Sequence, residues 1–280
     1  MTSVDDIAAT LAAGRLIPYL GPGMLSLCPD YAVPQTPEAL VALLTAKASV
    51  PPKIRNNLTR SAQFIENFKH RKTLVKLMNE AFTATPAWSP LHATLASLDL
   101  PLIVSTWYDD AMAAALGATR EDWGQIQGLA QSEHFGVWTG GYDASGRWIE
   151  DRPLPHWTTI LYQPMGAHGP AANYLVSDTD FVEVLTEIDI QTPIPATVQD
   201  LRSSRSFLFL GCRFNDQLSR SFARQIMKRS SAQHWAVLPE APTRMESRFL
   251  AEQNIKRIEL PLAAFAQRFT AMATPSAVAA

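Results

Sequence analysis

The sequence predicts an α/β fold built on a parallel sheet with helices on both faces. Three observations carry that prediction. Leu16-Ile17-Pro18-Tyr19-Leu20, Leu102-Ile103-Val104 and Ser206-Phe207-Leu208-Phe209-Leu210 are short, nearly continuous apolar runs, the pattern of strands buried on both sides. Between such runs lie segments with apolar residues at helical spacing, opened by residues that cap helices. Strand-like and helix-like segments alternate toward the C-terminus, as they do when crossover helices join parallel strands.

Val4 to Ala13 reads as a short helix, with Ile7 and Leu11 on one face and Asp5 and Asp6 in its first turn. It leads into the strand Leu16–Leu20, which Gly21-Pro22-Gly23 ends in a sharp turn. Met24 to Gln35 carries two prolines and no period, so it reads as a loop that can lie over a pocket. Thr36-Pro37-Glu38 then supplies a capping hydroxyl, a proline at the first helical position and an acid near the positive end of the dipole, and the helix runs to Ala48. Pro51-Pro52 breaks it. Helix resumes over Ser61 to Phe82, with Phe64, Ile65, Phe68, Leu74, Val75, Leu77 and Met78 as apolar stripes, which makes 36–88 a helical insertion.

Ser89-Pro90 starts a helix to Leu98, and the strand Leu102-Ile103-Val104 ends in Ser105-Thr106-Trp107-Tyr108-Asp109. After a helix over Asp110 to Leu116, residues 117–157 hold turn signals at Gly140-Gly141 and Ala144-Ser145-Gly146 between aromatic runs, the mark of a small β-rich insertion of one or two hairpins. Thr159–Tyr162 is the next core strand, and Gln163 to Pro170 reads as loop. Tyr174-Leu175-Val176 is a brief strand, followed by a helix that Ser177 and Asp180 cap and that buries Phe181, Val184, Leu185 and Ile188. Thr192-Pro193-Ile194-Pro195 is a stiff connection to a helix over Ala196–Ser203. Strands at Ser206–Gly211, His234–Pro239 and Arg257–Leu260 then alternate with helices over Gln217–Lys228, Thr243–Glu252 and Leu262–Met272. The reading is one Rossmann-like domain over 1–274 with a flexible tail at 275–280.

Composition narrows the function classes. Of 280 residues 47% are hydrophobic and 18% charged, which fits a globular chain, and no apolar run reaches the roughly 18 residues of a membrane span. No secretion signal opens the sequence, so the expected location is cytoplasmic. A formal net charge of −2 gives no general attraction for nucleic acid. Cys28 and Cys212 form no Cys-x-x-Cys pair and the histidines no His-Glu-x-x-His spacing, so neither zinc nor a catalytic metal is expected.

Parallel sheets bind ligands beyond the carboxyl ends of their strands, where the loops at Gly21–Gly23, Ser105–Asp109, Met165–Gly169 and Gly211–Asp216 are expected to meet. In that order these loops resemble the sirtuin-like NAD-binding family, in the bacterial branch that includes NAD hydrolases of phage defence. Members have a strand ending Gly-Ala-Gly, then Thr-Asn-Tyr-Asp, then His-Gly, then a Leu-Phe-Leu-Gly strand followed by an Asp. The resemblance spans Arg15 to Leu238. It implies that Gly21 and Gly23 lie against the NAD diphosphate, with Pro22 in place of the usual Ala and Met24 next in the turn. Thr106, Tyr108 and Asp109 match the second motif, but Trp107 stands where the family has the Asn that holds the nicotinamide ribose or the attacking water. An indole offers one donor and no acceptor, so it cannot orient water as an amide does.

The third motif has two alignments. His168-Gly169 gives an imidazole that works on a ribose hydroxyl, whereas Met165-Gly166 fits the distance to Leu175 better and supplies no proton acceptor. Gly211 matches the glycine after the central strand, and Asn215 and Asp216 the polar helix start. Arg213 is read either as a phosphate partner through its planar donors or as a salt bridge. Asp109 and Asp216 also suit helix caps, and Trp107 suits either core or a stacking platform. The resemblance therefore implies a domain that binds NAD or ADP-ribose and regulates with weak or no catalysis. The alternative is an NAD glycohydrolase with His168 as base. Deacylation ranks last, since the zinc-binding cysteines of deacylating sirtuins are absent. Assembly is open between a homo-oligomer and a protein partner.

Overall fold

A computed structural model describes residues 4–149, 153–187 and 193–273. Helix α1 (Val4–Ala12) precedes β1 (Leu16–Leu20) and a 3-10 helix (Pro22–Leu27); α2 (Pro37–Lys47), α3 (Leu58–Lys69), α4 (Arg71–Phe82) and α5 (Pro90–Ser97) follow. Then come β2 (Leu102–Ser105), α6 (Ala111–Thr119), β3 (Trp123–Gly128), β4 (Thr139–Asp143), β5 (Thr159–Gln163), β6 (Gly166–Ala167), β7 (Asn173–Tyr174), α7 (Asp178–Glu187) and α8 (Ala196–Arg202). The chain continues through β8 (Ser206–Leu210), α9 (Gln217–Met227), β9 (His234–Val237), α10 (Arg244–Glu252), β10 (Ile255–Ile258) and α11 (Leu262–Ala273).

Eight strands form one sheet in the order β10-β9-β8-β1-β2-β5-β3-β4. Every neighbouring pair is parallel except β3 with β4, so the predicted Rossmann-like α/β architecture holds. Alternation along each strand sends side chains to opposite faces. Ile17 and Tyr19 of β1, Val104 of β2 and Phe207 and Phe209 of β8 pack with Phe181, Val198, Phe222 and Phe249 from α7 to α10. Leu16, Leu20, Ile103, Leu161 and Leu208 face the other way, against Ile7, Leu95, Leu116 and Phe265 from α1, α5, α6 and α11. A third core joins α2, α3 and α4 to Tyr31, Trp107, Tyr108 and Tyr174, so these helices pack at the carboxyl end of β2 rather than on a sheet face.

Local chemistry explains most boundaries. Thr36 Oγ1 accepts from Ala39 N at 3.1 Å to start α2, and Asp216 Oδ1 accepts from Ser219 N at 2.8 Å to start α9. Before α7, Ser177 Oγ accepts from Asp180 N at 3.2 Å while Asp180 Oδ2 accepts from Ser177 N at 2.9 Å, the reciprocal cap expected from the sequence.

Several elements differ from expectation. The segment after Gly21 is not wholly loop, because residues 22–27 coil as a 3-10 helix. Ser61–Phe82 is not one helix: His70 at φ 70° splits it into α3 and α4. Residues within 117–157 do form an antiparallel pair, β3 with β4, but the pair continues the main sheet through β3 and β5 instead of standing outside it. The Gln163–Pro170 loop contains β6, which pairs with β7 at Asn173–Tyr174, and β10 starts two residues earlier than the apolar pattern suggested. The readings at Ile188, Thr192 and 275–280 lie outside the described residues.

Candidate functional site

Strands β8, β1, β2 and β5 are consecutive and parallel, so the loops that follow them leave the same edge of the sheet on neighbouring strands. From β1 the chain proceeds to β2 on one side, while β8 returns on the other, which makes β1 the place where strand order reverses. The four stretches singled out in the sequence are therefore brought to one edge.

At the β1–β8 end the glycines pack against each other. A Cβ on Gly21 would sit 2.6 Å from Gly211 O, and one on Gly23 would sit 2.8 Å from the same atom. Gly211 has φ +64°, and its own Cβ would fall 2.4 Å from Met24 N. No larger residue fits this abutment. The amides are occupied as well: Gly21 N donates to Leu210 O, Gly23 N to Gly211 O and Met24 N to Gly21 O, at 2.9, 2.9 and 3.1 Å. Close backbone contact thus accounts for these glycines, and a diphosphate reaching the Gly23 N–H has to compete with Gly211 O. Pro22 is half-buried at the head of the 3-10 helix.

After β2, Thr106 is buried, with both its N–H and Oγ1 donating to Leu20 O, which stitches the β1 and β2 loops together. Trp107 is 5% exposed, its ring 6.1 Å from Phe82 and 5.1 Å from Tyr108, and its indole N–H donates to Pro34 O at 2.8 Å. Of the two roles open to it, core is the one seen here. Asp109 caps α6 by accepting from Ala111 N at 2.8 Å, and burial pushes its carboxyl up to about 6.

The loop after β5 returns to the same place. His168 Nδ1 lies 2.8 Å from Asp110 Oδ2, with side chains 29% and 15% exposed. Asp110 Oδ1 accepts from Gly169 N at 2.9 Å, and His168 N donates to Tyr108 O at 2.9 Å. Below, Gln127 Nε2 donates toward Gly169 O at 2.7 Å and Gln163 Oε1 at 2.8 Å, while Gln127 Oε1 accepts from Ala171 N at 3.3 Å. The backbone around His168 is held from several sides, while the imidazole itself bonds Asp110 through Nδ1 and still reaches solvent. Burial raises the Asp110 carboxyl above the usual range, opposed by the His168 hydrogen bond and the Gly169 amide. Gly166 does not join this group; with φ +75° it sits in β6, where a Cβ would meet Asn173 O at 2.1 Å.

After β8, Arg213 is engaged by carboxylates. Its Nε and Nη2 donate to Glu246 at 3.0 and 3.1 Å, and Nη1 pairs with Glu240. The salt bridge is the alternative observed, and a phosphate would have to displace it. Asn215 is exposed at the approach to α9. A cleft of about 420 Å³ opens elsewhere, along α4 beside Lys72, Lys76, Asn79 and Glu133. Among the described residues no group of three or more His, Cys, Asp and Glu side chains gathers as a metal site requires, and no helix is long and apolar enough to cross a membrane.

Asp110 and Gln127 escaped the sequence reading. Asp110 had a visible signal, the Asp109-Asp110 doublet at the end of a strand, whereas Gln127 sits in a strand whose glycines and glutamines hid it.

No curated protein matches the chain. The sequence pattern of the SIR2-like domain does match, over residues 101–258, which takes in the β2, β5 and β8 loops and leaves β1 with its glycine turn outside the matched span. That match covers more than half of the 280 residues, and with the parallel sheet it establishes that the chain belongs to the SIR2-like family.

Proposed function

We propose that the edge formed by the loops after β8, β1, β2 and β5 binds an adenine dinucleotide, NAD or its ADP-ribose fragment, and serves a regulatory role with little or no turnover. Family membership supports an NAD-related function, and the adjacency of four parallel strand ends supports a single extended ligand. The observation that carries the low turnover is Trp107. Its buried indole, bonded to Pro34 O, leaves no side-chain amide at that position to orient a nucleophilic water. The occupied amides of Gly21 and Gly23 and the engaged Arg213 argue for modest affinity, since each is already satisfied within the protein. Asn215 and His168 are polar side chains of this edge that reach solvent, as do Arg213 and Asp216, which are already engaged in a salt bridge and a helix cap.

A second reading is favoured by the His168–Asp110 pair, the arrangement of a general base held by a carboxylate. In it the chain is an NAD glycohydrolase. Water gives a proton to His168, its oxygen bonds to the anomeric carbon of the nicotinamide ribose, and the carbon–nitrogen bond breaks with its electron pair leaving on neutral nicotinamide. Calorimetric titration with NAD and with ADP-ribose, run beside a nicotinamide-release assay, separates the readings. Binding without release supports the first, release lost in His168→Ala supports the second, and no binding of either nucleotide at millimolar concentration removes both.

A further inference from the structure

We infer that Asp110 is the positioning residue of His168: it fixes the imidazole as the Nδ1–H tautomer and so presents Nε2 as the proton acceptor at the strand edge. The catalytic consequence rests on the glycohydrolase reading, whereas the tautomer itself does not.

The geometry is specific because both carboxylate oxygens have assigned partners. Oδ1 accepts from Gly169 N at 2.9 Å, and Oδ2 lies 2.8 Å from His168 Nδ1. An ionised carboxylate can only accept, so the nitrogen facing it must carry a hydrogen, and in neutral imidazole the other nitrogen is then bare. The loop cannot readily turn away, since His168 N is bonded to Tyr108 O and Gly169 O to Gln127 Nε2. Nor does Asp110 serve as the side-chain cap of α6. That bond comes from Asp109, and Asp110 makes none to the first turn of the helix.

This arrangement predicts an inverted tautomer on a near-isosteric change. In Asp110→Asn the Gly169 N–H still needs an oxygen, so the side-chain oxygen stays there and the new NH2 faces His168 Nδ1. Two donors cannot face each other, so the proton moves to Nε2.

Nitrogen-15 NMR of the histidine ring, at a pH of about 9 where an ordinary imidazole is neutral, reads this directly in the full chain, with His168→Gln assigning the signal. Nδ1–H in the wild type and Nε2–H in Asp110→Asn are expected. Nε2–H in the wild type overturns the inference without recourse to any variant, and so does one tautomer common to both proteins. If the wild type releases nicotinamide, Asp110→Asn should lower kcat by roughly 10²- to 10⁴-fold while dinucleotide affinity changes less than about threefold. Unchanged release overturns the positioning role. If the wild type releases none, the glycohydrolase reading fails by itself and the tautomer still decides the inference.

Discussion

At the scale of single residues, the fold makes the Asp109 carboxylate costly to ionise. Burial raises its pKa to about 6, with Asp110 adding to the rise and the Ala111 amide opposing it. Between the unfolded value near 4 and about 6 the folded chain holds a proton that the unfolded chain has lost. Stability therefore falls as pH rises through that window, by on the order of 2–3 kcal/mol, and is level above it. Asp109→Asn keeps an oxygen for Ala111 N and removes the charge. Urea denaturation at pH 5 and pH 8 should show the variant gaining on the wild type at the higher pH, and a pH-independent difference would refute the assignment. Gly211 supplies a second prediction. A Cβ there meets Met24 N at 2.4 Å in a left-handed conformation, so Gly211→Ala should lose about 2–4 kcal/mol in the same assay. That glycines matter at Gly21, Gly23 and Gly211 was legible in the sequence. That they pack against one another was not, because adjacency of β1 and β8 is a property of the sheet.

Between elements, the joint that fixes the β8 loop is Glu246 in the first turn of α10. Its side chain is 0% exposed and accepts from Arg213 Nε and Nη2, Phe214 N and Thr243 N. All four partners are donors, so only a carboxylate satisfies them. Burial alone would raise its pKa, but Arg213 and the amides outweigh burial and bring it down to about 2. A depressed carboxyl stabilises the fold above its unfolded value, and that stability is lost as pH falls from about 4 toward about 2. Glu246→Gln turns one donor against another, so it should cost about 3–5 kcal/mol at neutral pH and flatten the acid limb of the stability profile. The sequence pointed to Thr243 as a helix start but singled out nothing at Glu246, which in the structure closes a capping box with Thr243 and holds Arg213 as well. The α3–α4 break was hidden for a different reason. Lys69-His70-Arg71 contains neither Gly nor Pro, and the bend at His70 lets Arg71 reach Asp180 and Tyr174 O, partners more than 100 positions away.

Across the whole molecule, legibility followed burial chemistry. β1, β2 and β8 are covered by apolar layers on both faces and read as apolar runs. β3, Trp123-Gly124-Gln125-Ile126-Gln127-Gly128, is equally buried and did not, because Trp157 occupies the place of a Gly124 side chain and amides pair Gln127 with Gln163 and Gln125. The order of the edge loops was readable, since their strands were; how the amides, Trp107 and Arg213 are engaged required the folded chain. A ligand laid across that edge has a signature that no local event reproduces. Hydrogen–deuterium exchange with and without saturating NAD should show slowing together in residues 21–27, 106–110, 164–169 and 211–216, which are distant in sequence but follow the adjacent strands β1, β2, β5 and β8. The β3–β4 pair and β10, at the two ends of the sheet, should exchange unchanged. At a hundredfold excess over Kd the same binding adds about 2.7 kcal/mol to stability, enough to read as a rise in Tm. Slowing confined to the α4 cleft beside Lys72 and Lys76, with the four loops unaffected, would place the nucleotide away from the strand ends and end the proposal.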